Sequence, residues 1–337
     1  MIVRTDRIGD VILTLPMIPA LHSSFPSASL VILLQNYTKN LAEGQEGLSS
    51  IITEDSGGKK KRFFSLLAEL RKYQFDAAVV AYPRFRIALL LRLARIPLRI
   101  GSAFRWYSFL FNRKVHEHRK TVEKHEAEYN LSLLKELGCE IPEIIKTQLA
   151  ITQKEKEKAA SIRAKLGLAE SDKVALLHPG SGGSARNWKP ENFALLASVI
   201  ARKKFYVFIT GTEPERCLIE HIVLLSQGAA RPFISSAALK EFGAFIQTAS
   251  VFVANSTGPL HLASAVGTPV VGFYPPVKVM SSKRWGPLGE KKIIFTPDPV
   301  LCSACSGGHC RGNACMDQIT VEQAAEAVLK LAGETTE

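Results

Sequence analysis

No run of eighteen consecutive apolar residues occurs in the 337-residue chain, so no membrane-spanning helix is predicted. The nearest candidate, "IALLLRLARIPL", is interrupted by Arg92 and Arg95. A secretory leader is not predicted either, because Arg4, Asp6, Arg7 and Asp10 fall within the first apolar region. The expected location is therefore the cytoplasm. No nucleic-acid-binding motif accompanies the basic residues, which argues against DNA or RNA as a partner. The glycine-rich segment lacks the Lys-Ser/Thr ending of a Walker A loop and the spacing of a GxGxxG fingerprint. Acidic residues are the minority, 31 against 43 lysines and arginines, leaving a formal charge of +12.

That excess charge fits an anionic small molecule, nucleic acid or an acidic membrane surface. Its distribution favours an anionic amphiphile, since "YPRFRIALLLRLARIPLRIGSAFRWYSFLFNRKVHEHRK" alternates basic with large apolar residues. The same pattern would also arise from a buried helix and strand whose arginines lie on solvated faces. Apolar residues make up 46% of the chain, enough for a sizeable core and two domains.

Strand and helix patterns alternate along almost the whole length. "IVR", "SLVILL" and "DAAVVAY" read as strands in the first half, with helices at "KRFFSLLAELRKY" and "HEAEYNLSLLKELG". In the second half "KVALLH", "FYVFIT", "SVFVA" and "PVVGFY" are short apolar strands separated by helix-length segments. Such strands predict parallel sheets covered on both faces. The charged helical stretch "ITQKEKEKAASIRAKLG" marks the junction, giving doubly wound α/β domains over residues 1–150 and 151–337.

Open parallel sheets bind ligands beyond the carboxyl ends of their strands. Four loops occupy such positions: "TDRIGD", "HPGSGGSARNW", "GTEPER" and "NSTGPLH". In the second, Gly180, Gly182 and Gly183 allow close backbone approach and Arg186 adds a fixed positive charge, a phosphate cradle or a plain glycine loop. In the fourth, Ser256, Thr257 and Gly258 start a helix whose free N–H groups can bind an anion, with His261 one turn in. Ser256 or Thr257 could equally be a simple N-cap and His261 a packed core histidine. Glu215, early in the helix after the third loop, suits the positive end of the helix dipole and could also accept hydrogen bonds from a ribose.

Taken together, "VRTDRIGDVILTLPMIPAL", "HPGSGGSARNWKPENFALLA", "GTEPER" and "NSTGPLHLASAVGTPVVGFY", in this order and spacing, resemble glycosyltransferase family 9, the family of the lipopolysaccharide heptosyltransferases. The resemblance implies a GT-B fold, two Rossmann-like domains facing an interdomain cleft, with the acceptor held by the N-terminal domain and a nucleotide sugar, ADP-heptose or a similar donor, by the C-terminal one. It implies that Asp10 is the general base, that Gly9 permits the exit from the first strand, and that Glu215 holds the ribose hydroxyls. The donor-binding set is then Ser181, Arg186, Glu215, Ser256, Thr257, Gly258 and His261.

The transfer chemistry follows from charge. An acceptor hydroxyl loses its proton as it attacks the anomeric carbon, and a positioned carboxylate contributes about 10²- to 10⁴-fold by accepting it. Charge developing on the leaving diphosphate would be met by Arg186 and the helix start at Thr257 and Gly258. No divalent metal or other cofactor is then needed, and a single displacement inverts the anomeric centre, as the resemblance also implies. The acceptor is expected to be a lipopolysaccharide core or other lipid-linked saccharide, reached at the inner membrane face by a peripheral monomer. A noncatalytic nucleotide-sugar-binding scaffold and a different donor sugar are the competing readings. Sugar-nucleotide epimerases of similar fold need further acid/base carboxylates in the cleft, which the sequence does not identify.

Some family members carry aspartate where Ser256 stands and lysine where Arg186 stands, so these positions bear on donor choice. Homologous chains also begin with a few more apolar residues, so the first strand is expected to be clipped. Cys302, Cys305, Cys310 and Cys315 follow C-x2-C-x4-C-x4-C, while Cys139 and Cys217 stand alone. Four thiolates at that spacing suit structural zinc; free or redox-active thiols are the other reading, since similar loops recur in the family without serving transfer.

Overall fold

The computed structural model describes residues 1–183, 186–298 and 314–333. The chain forms two compact units, Met1–Ala150 and Ile151–Glu337.

The first unit is built on a six-stranded parallel sheet. Its strands are β1 (Ile2–Val3), β2 (Val31–Leu34), β3 (Ser50–Thr53), β6 (Ala77–Val80), β7 (Leu98–Ser102) and β8 (Arg113–Val115), with a small antiparallel hairpin of β4 (Asp55–Ser56) and β5 (Lys59–Lys60) after β3. The sheet order is β3-β2-β1-β6-β7-β8. β1 is only two residues long, yet it pairs on both sides, Ile2 with Ile32 and Val79, and Val3 with Leu33 and Val80. All four residues of β2 are buried, as a strand covered by helices on both faces requires. On one face Val3, Val31, Leu33, Ala78 and Val80 pack with Leu66, Leu67 and Leu70 of the helix Phe63–Lys72 and with Ile87, Leu90 and Leu91 of the helix Phe85–Leu93. The basic-apolar stretch thus contains a buried helix face, but Phe104, Trp106 and Phe109 in the turn after β7 stand in solvent.

Gly9 does not form the exit from β1. An extended segment leaves the strand, and Gly9 is buried inside the short helix Ile8–Ile12, whose N-cap is Arg7. Backbone bonds from Val11 to Arg7 and from Leu13 to Gly9 close that helix.

The second unit repeats the plan with β9 (Val174–His178), β10 (Tyr206–Gly211), β11 (Ala230–Ile234), β12 (Val251–Asn255), β13 (Val270–Phe273) and β14 (Lys292–Phe295), ordered β11-β10-β9-β12-β13-β14. Once the hairpin is set aside, both sheets follow the doubly wound order 3-2-1-4-5-6. β9, β12 and β13 are buried throughout. The unit opens with the helix Gln153–Lys165, started by a capping box in which Glu155 accepts from the Thr152 N–H at 2.8 Å. Trp188 is the largest side chain of its core, meeting Phe193 edge-on and Phe273 at a tilt, with its indole N–H donating to the Ile319 carbonyl at 2.8 Å. The strand patterns read from sequence all lie in these sheets, while β3, β7, β8, β11 and β14 were not among them. Most of the missed strands carry part-exposed or charged residues, which blur an apolar run.

Candidate active site

In each sheet the strand order reverses beside its first strand, at β1/β6 in one unit and β9/β12 in the other, and the loops leaving these strands flank the crevice where ligands bind in such sheets. The loops carrying the sequence motifs follow β1, β9, β10 and β12.

In the first unit, Arg4 emerges from β1 and is buried among carboxylates. Its Nε donates to Asp6 Oδ1 at 2.8 Å, Nη2 donates to Asp10, and Nη1 lies 3.3 Å from Glu126 Oε1 and 3.1 Å from Asn130 Oδ1. Glu126 and Asn130 are one turn apart on the helix Glu126–Ser132, which directs both onto the guanidinium, and Arg119 also pairs with Glu126. Burial opposes the Arg4 charge, but Asp6, Asp10 and Glu126 outweigh it and hold the guanidinium firmly protonated. Burial also pushes the Asp6 carboxyl up to about 7, with Arg4 opposing and repulsion from Asp10 and Glu126 adding to it. Asp10 retains partial solvent access, its side chain 17% exposed, on a helix anchored by Thr14 Oγ1 donating to its carbonyl at 2.8 Å. Asn130 in turn donates to the Leu13 carbonyl at 3.0 Å, fixing the far end of that segment.

In the second unit three loops are tied together. Asn255, the last residue of β12, is fully buried; its Oδ1 accepts from the Trp188 N–H at 2.7 Å and its Nδ2 donates to the Pro179 carbonyl at 2.7 Å. One side chain thus pins both ends of the glycine-rich loop. Glu215 pins it from the other side. Its Oε2 accepts from the Thr212 N–H at 2.9 Å and hydroxyl at 2.8 Å, while Oε1 packs so closely on Gly180 that a Cβ there would lie 1.8 Å away. Gly182 and Gly183 have φ of +56° and +71°, a left-handed pair that favours glycine at both positions. Ser181 is buried and Arg186 half-buried in the same loop.

Thr257 is the extended N-cap of the helix Gly258–Ala265 and makes no side-chain capping bond, so the N–H groups of the first turn are not used up by it. Ser256 bonds through its N–H to the Phe273 carbonyl at 3.0 Å, and His261 is buried one turn into the helix. Beneath Glu215, His178 is buried with Nδ1 3.0 Å from the Thr210 hydroxyl; burial pushes its imidazole down to about 4, and the Glu215 charge only partly offsets this.

All seven donor-loop residues singled out in the sequence therefore lie at the carboxyl ends of β9, β10 and β12. Asp10 lies past the carboxyl end of β1. Sequence reasoning missed Arg4 as the partner of Asp10, Asp6 and Glu126 as the carboxylates sharing that guanidinium, and Asn255 as the support of the glycine loop. Arg4 and Asp6 stood within the first motif and Asn255 within the last, but Glu126 is 122 positions from Arg4 and carried no local signal. Lys189, a basic neighbour of Arg186, is paired with Asp317 at 2.7 Å. Cys315 is buried, whereas Cys302, Cys305 and Cys310 lie outside the described residues.

Residues 63–315 match glycosyltransferase family 9 (heptosyltransferase). The chain belongs to this family. It is 24% identical over 277 residues to lipopolysaccharide heptosyltransferase 3 of Escherichia coli, spanning 79% of this chain and 80% of that protein. A solved glycosyl transferase family 9 structure from Veillonella parvula superposes with a TM-score of 0.84 at 20% identity, covering 99% of this chain and 97% of the other. The ADP-heptose lipopolysaccharide heptosyltransferase II of Escherichia coli follows at 0.79, 19% identity, and 98% and 97% coverage. These structures share the two-Rossmann GT-B fold with this chain, and membership in family 9 makes it a glycosyltransferase of the heptosyltransferase type.

Proposed function

We propose that this family 9 enzyme transfers a heptose or related sugar from ADP-heptose or a similar nucleotide sugar to a lipopolysaccharide core or other lipid-linked saccharide. The observation that carries the donor half is the tethering of three loops at the carboxyl ends of β10, β9 and β12 by Glu215 and Asn255. A left-handed glycine pair, Ser181, Arg186 and the start of the helix at Thr257 and Gly258 offer N–H groups and positive charge to a diphosphate, with Ser256 and His261 beside them. Glu215 would hold ribose hydroxyls, and Ser256 and Arg186 would bear on the choice of donor. Residues 151–337 take the donor and residues 1–150 the acceptor.

The reaction is one displacement. The acceptor oxygen bonds to the anomeric carbon as the bond to the diphosphate breaks; the hydroxyl proton passes to Asp10, and the nucleoside diphosphate leaves with its charge met by Arg186 and the helix start. Inversion follows from a single attack, and this residue set places the charge stabilisation in the protein without a divalent metal.

The lipid end of the acceptor fits the turn after β7. Trp106 and Phe109 are 73% and 67% exposed there, beside exposed Phe104, Arg105, Arg113 and Lys114, a pairing of aromatic and cationic side chains suited to an anionic bilayer surface. Peripheral contact at the cytoplasmic membrane face follows from that reading, and the monomeric state is part of the same proposal. No helix among the described residues is long and apolar enough to cross a membrane.

Coupled detection of ADP release from ADP-heptose, with a heptose-deficient lipopolysaccharide as acceptor, tests the assignment. Asp10→Ala is expected to abolish release while donor affinity stays unchanged. A fully active Asp10→Ala enzyme would remove Asp10 from the mechanism.

A further inference from the structure

Tyr37 stands 47% exposed on the short 3₁₀ helix Asn36–Leu41 that follows β2. An exposed tyrosine is ordinary in itself, and the way this one is held sets it apart. β1 and β2 are neighbouring parallel strands, so the segments leaving their carboxyl ends start side by side. Gln35 Nε2 donates to the Thr5 carbonyl at 2.9 Å, and the Tyr37 hydroxyl donates to the Asp6 carbonyl at 3.0 Å. On the other flank the Asn36 N–H donates to Asp55 Oδ1 at 2.7 Å, and buried Thr38 and Leu41 seat the inner side of the helix. The phenol is thus fixed at both ends, by its backbone and by its hydroxyl, against the segment that leads into Asp10.

With the hydroxyl engaged by a carbonyl, what Tyr37 offers a ligand is its ring. Tyr73 and Phe85 are each 41% exposed, but they stack on Phe75 at 5.1 Å and on Trp106 at 4.9 Å. Among the described residues no aromatic ring packs on Tyr37 in this way. Its surroundings are charged. Burial, then Asp6 and Asp10, push the phenol up to about 12, with Arg7 and Arg84 opposing, so both signs of charge lie within electrostatic reach of one ring. Arg7 is exposed, and the Arg84 side chain, 29% exposed, has Nη1 3.4 Å from Glu54 Oε2. An aromatic face set among carboxylates and guanidinium groups suits a saccharide. C–H groups on one face of a sugar ring meet the electron-rich face of the phenol, while the hydroxyls at its edge reach the charged side chains.

We propose that Tyr37 is a stacking platform for the acceptor sugar, holding its ring beside Asp10. This inference rests on the reading of residues 1–150 as the acceptor side. The sugar is stacked both before and during attack, so loss of the platform appears chiefly in the acceptor KM.

The test is steady-state transfer by the full-length enzyme, with heptose-deficient lipopolysaccharide and its delipidated oligosaccharide as acceptors. Tyr37→Ala should raise the acceptor KM about three- to tenfold for both, with the donor KM and the thermal melt unchanged. Tyr37→Phe keeps the ring and should stay within about twofold of wild type. An unchanged acceptor KM in Tyr37→Ala overturns the proposal, as does a rise in the donor KM in its place. A loss in Tyr37→Phe as large as in Tyr37→Ala also overturns it, since the hydroxyl tether would then be the active feature. An effect confined to the lipid-bearing acceptor does the same, by making Tyr37 a lipid contact. Titration of the delipidated oligosaccharide into the protein without donor reads the same contact independently of turnover. Transfer by the wild type beside an unchanged acceptor KM in Tyr37→Ala defeats this inference alone. A wild type that neither transfers to nor binds the oligosaccharide defeats the acceptor reading and this inference together.

Discussion

Arg4 shows how one buried cation can organise a reacting centre. Its guanidinium is a planar fork, so Asp6, Asp10 and Glu126 can be held at separate edges at once. Arg4→Met would leave these carboxylates without their shared partner, and loss of one member of a buried ion pair costs about 3–5 kcal/mol. Urea denaturation should register that loss, whereas a near-neutral result would mean that solvent reaches the cluster freely. In the other unit Arg186→Ala should weaken nucleoside diphosphate binding in a calorimetric titration; unchanged affinity would pass the role to another cation such as Lys189, once freed from Asp317. His178 gives a stability prediction with a definite sign. Its imidazole titrates at about 4 in the fold and near 6.5 unfolded, so between these values the unfolded chain binds the extra proton. Its contribution is complete above about pH 6.5 and falls as pH drops toward about 4, by up to about 3 kcal/mol. Relative to His178→Asn, the wild type should therefore lose stability over that window. Parallel stability curves would show that His178 remains solvated.

The loops after β9, β10 and β12 behave as one element because two side chains bind them together. Gly180→Ala would force its new methyl onto Glu215 Oε1, so either the loop or the carboxylate must move. Weaker nucleotide binding with a largely preserved fold is expected, measured by titration beside a thermal melt. Retained affinity would mean that Glu215 can swing away without consequence. Asn255→Ala strips partners from a buried N–H and a buried carbonyl, each worth about 1–3 kcal/mol when left unmade. The motif strings made the glycines and Glu215 legible because loop chemistry is local in sequence. Asn255 was quoted within "NSTGPLH" yet gave no sign of its role, since its partners are 67 and 76 positions away. Gly9 shows the opposite error: a glycine after a short strand reads as a turn, but here it is a buried residue within a helix.

Across the chain, the alternation of apolar strands and amphipathic helices made both doubly wound units readable, because the strands near the middle of each sheet are apolar on both faces. The edge strands were not legible: Arg113 and Lys114 of β8 are exposed, and only sheet pairing to Ile100 and Gly101 makes them a strand. The basic-apolar stretch was divisible only by structure, with Ile87, Leu90 and Leu91 turned into the core and Trp106 and Phe109 left outside. Replacing Trp106 and Phe109 together with serine should reduce sedimentation with anionic vesicles and leave ADP binding intact; unchanged sedimentation would place membrane contact elsewhere. The central claim is the ADP-sugar site of residues 151–337. Its most direct test is a calorimetric titration of the whole protein with ADP, UDP, GDP and ADP-heptose in the presence of a chelator. Selective binding of ADP and ADP-heptose under those conditions is the predicted result. Selective binding of UDP or GDP, or binding that appears only when divalent metal is restored, would contradict it.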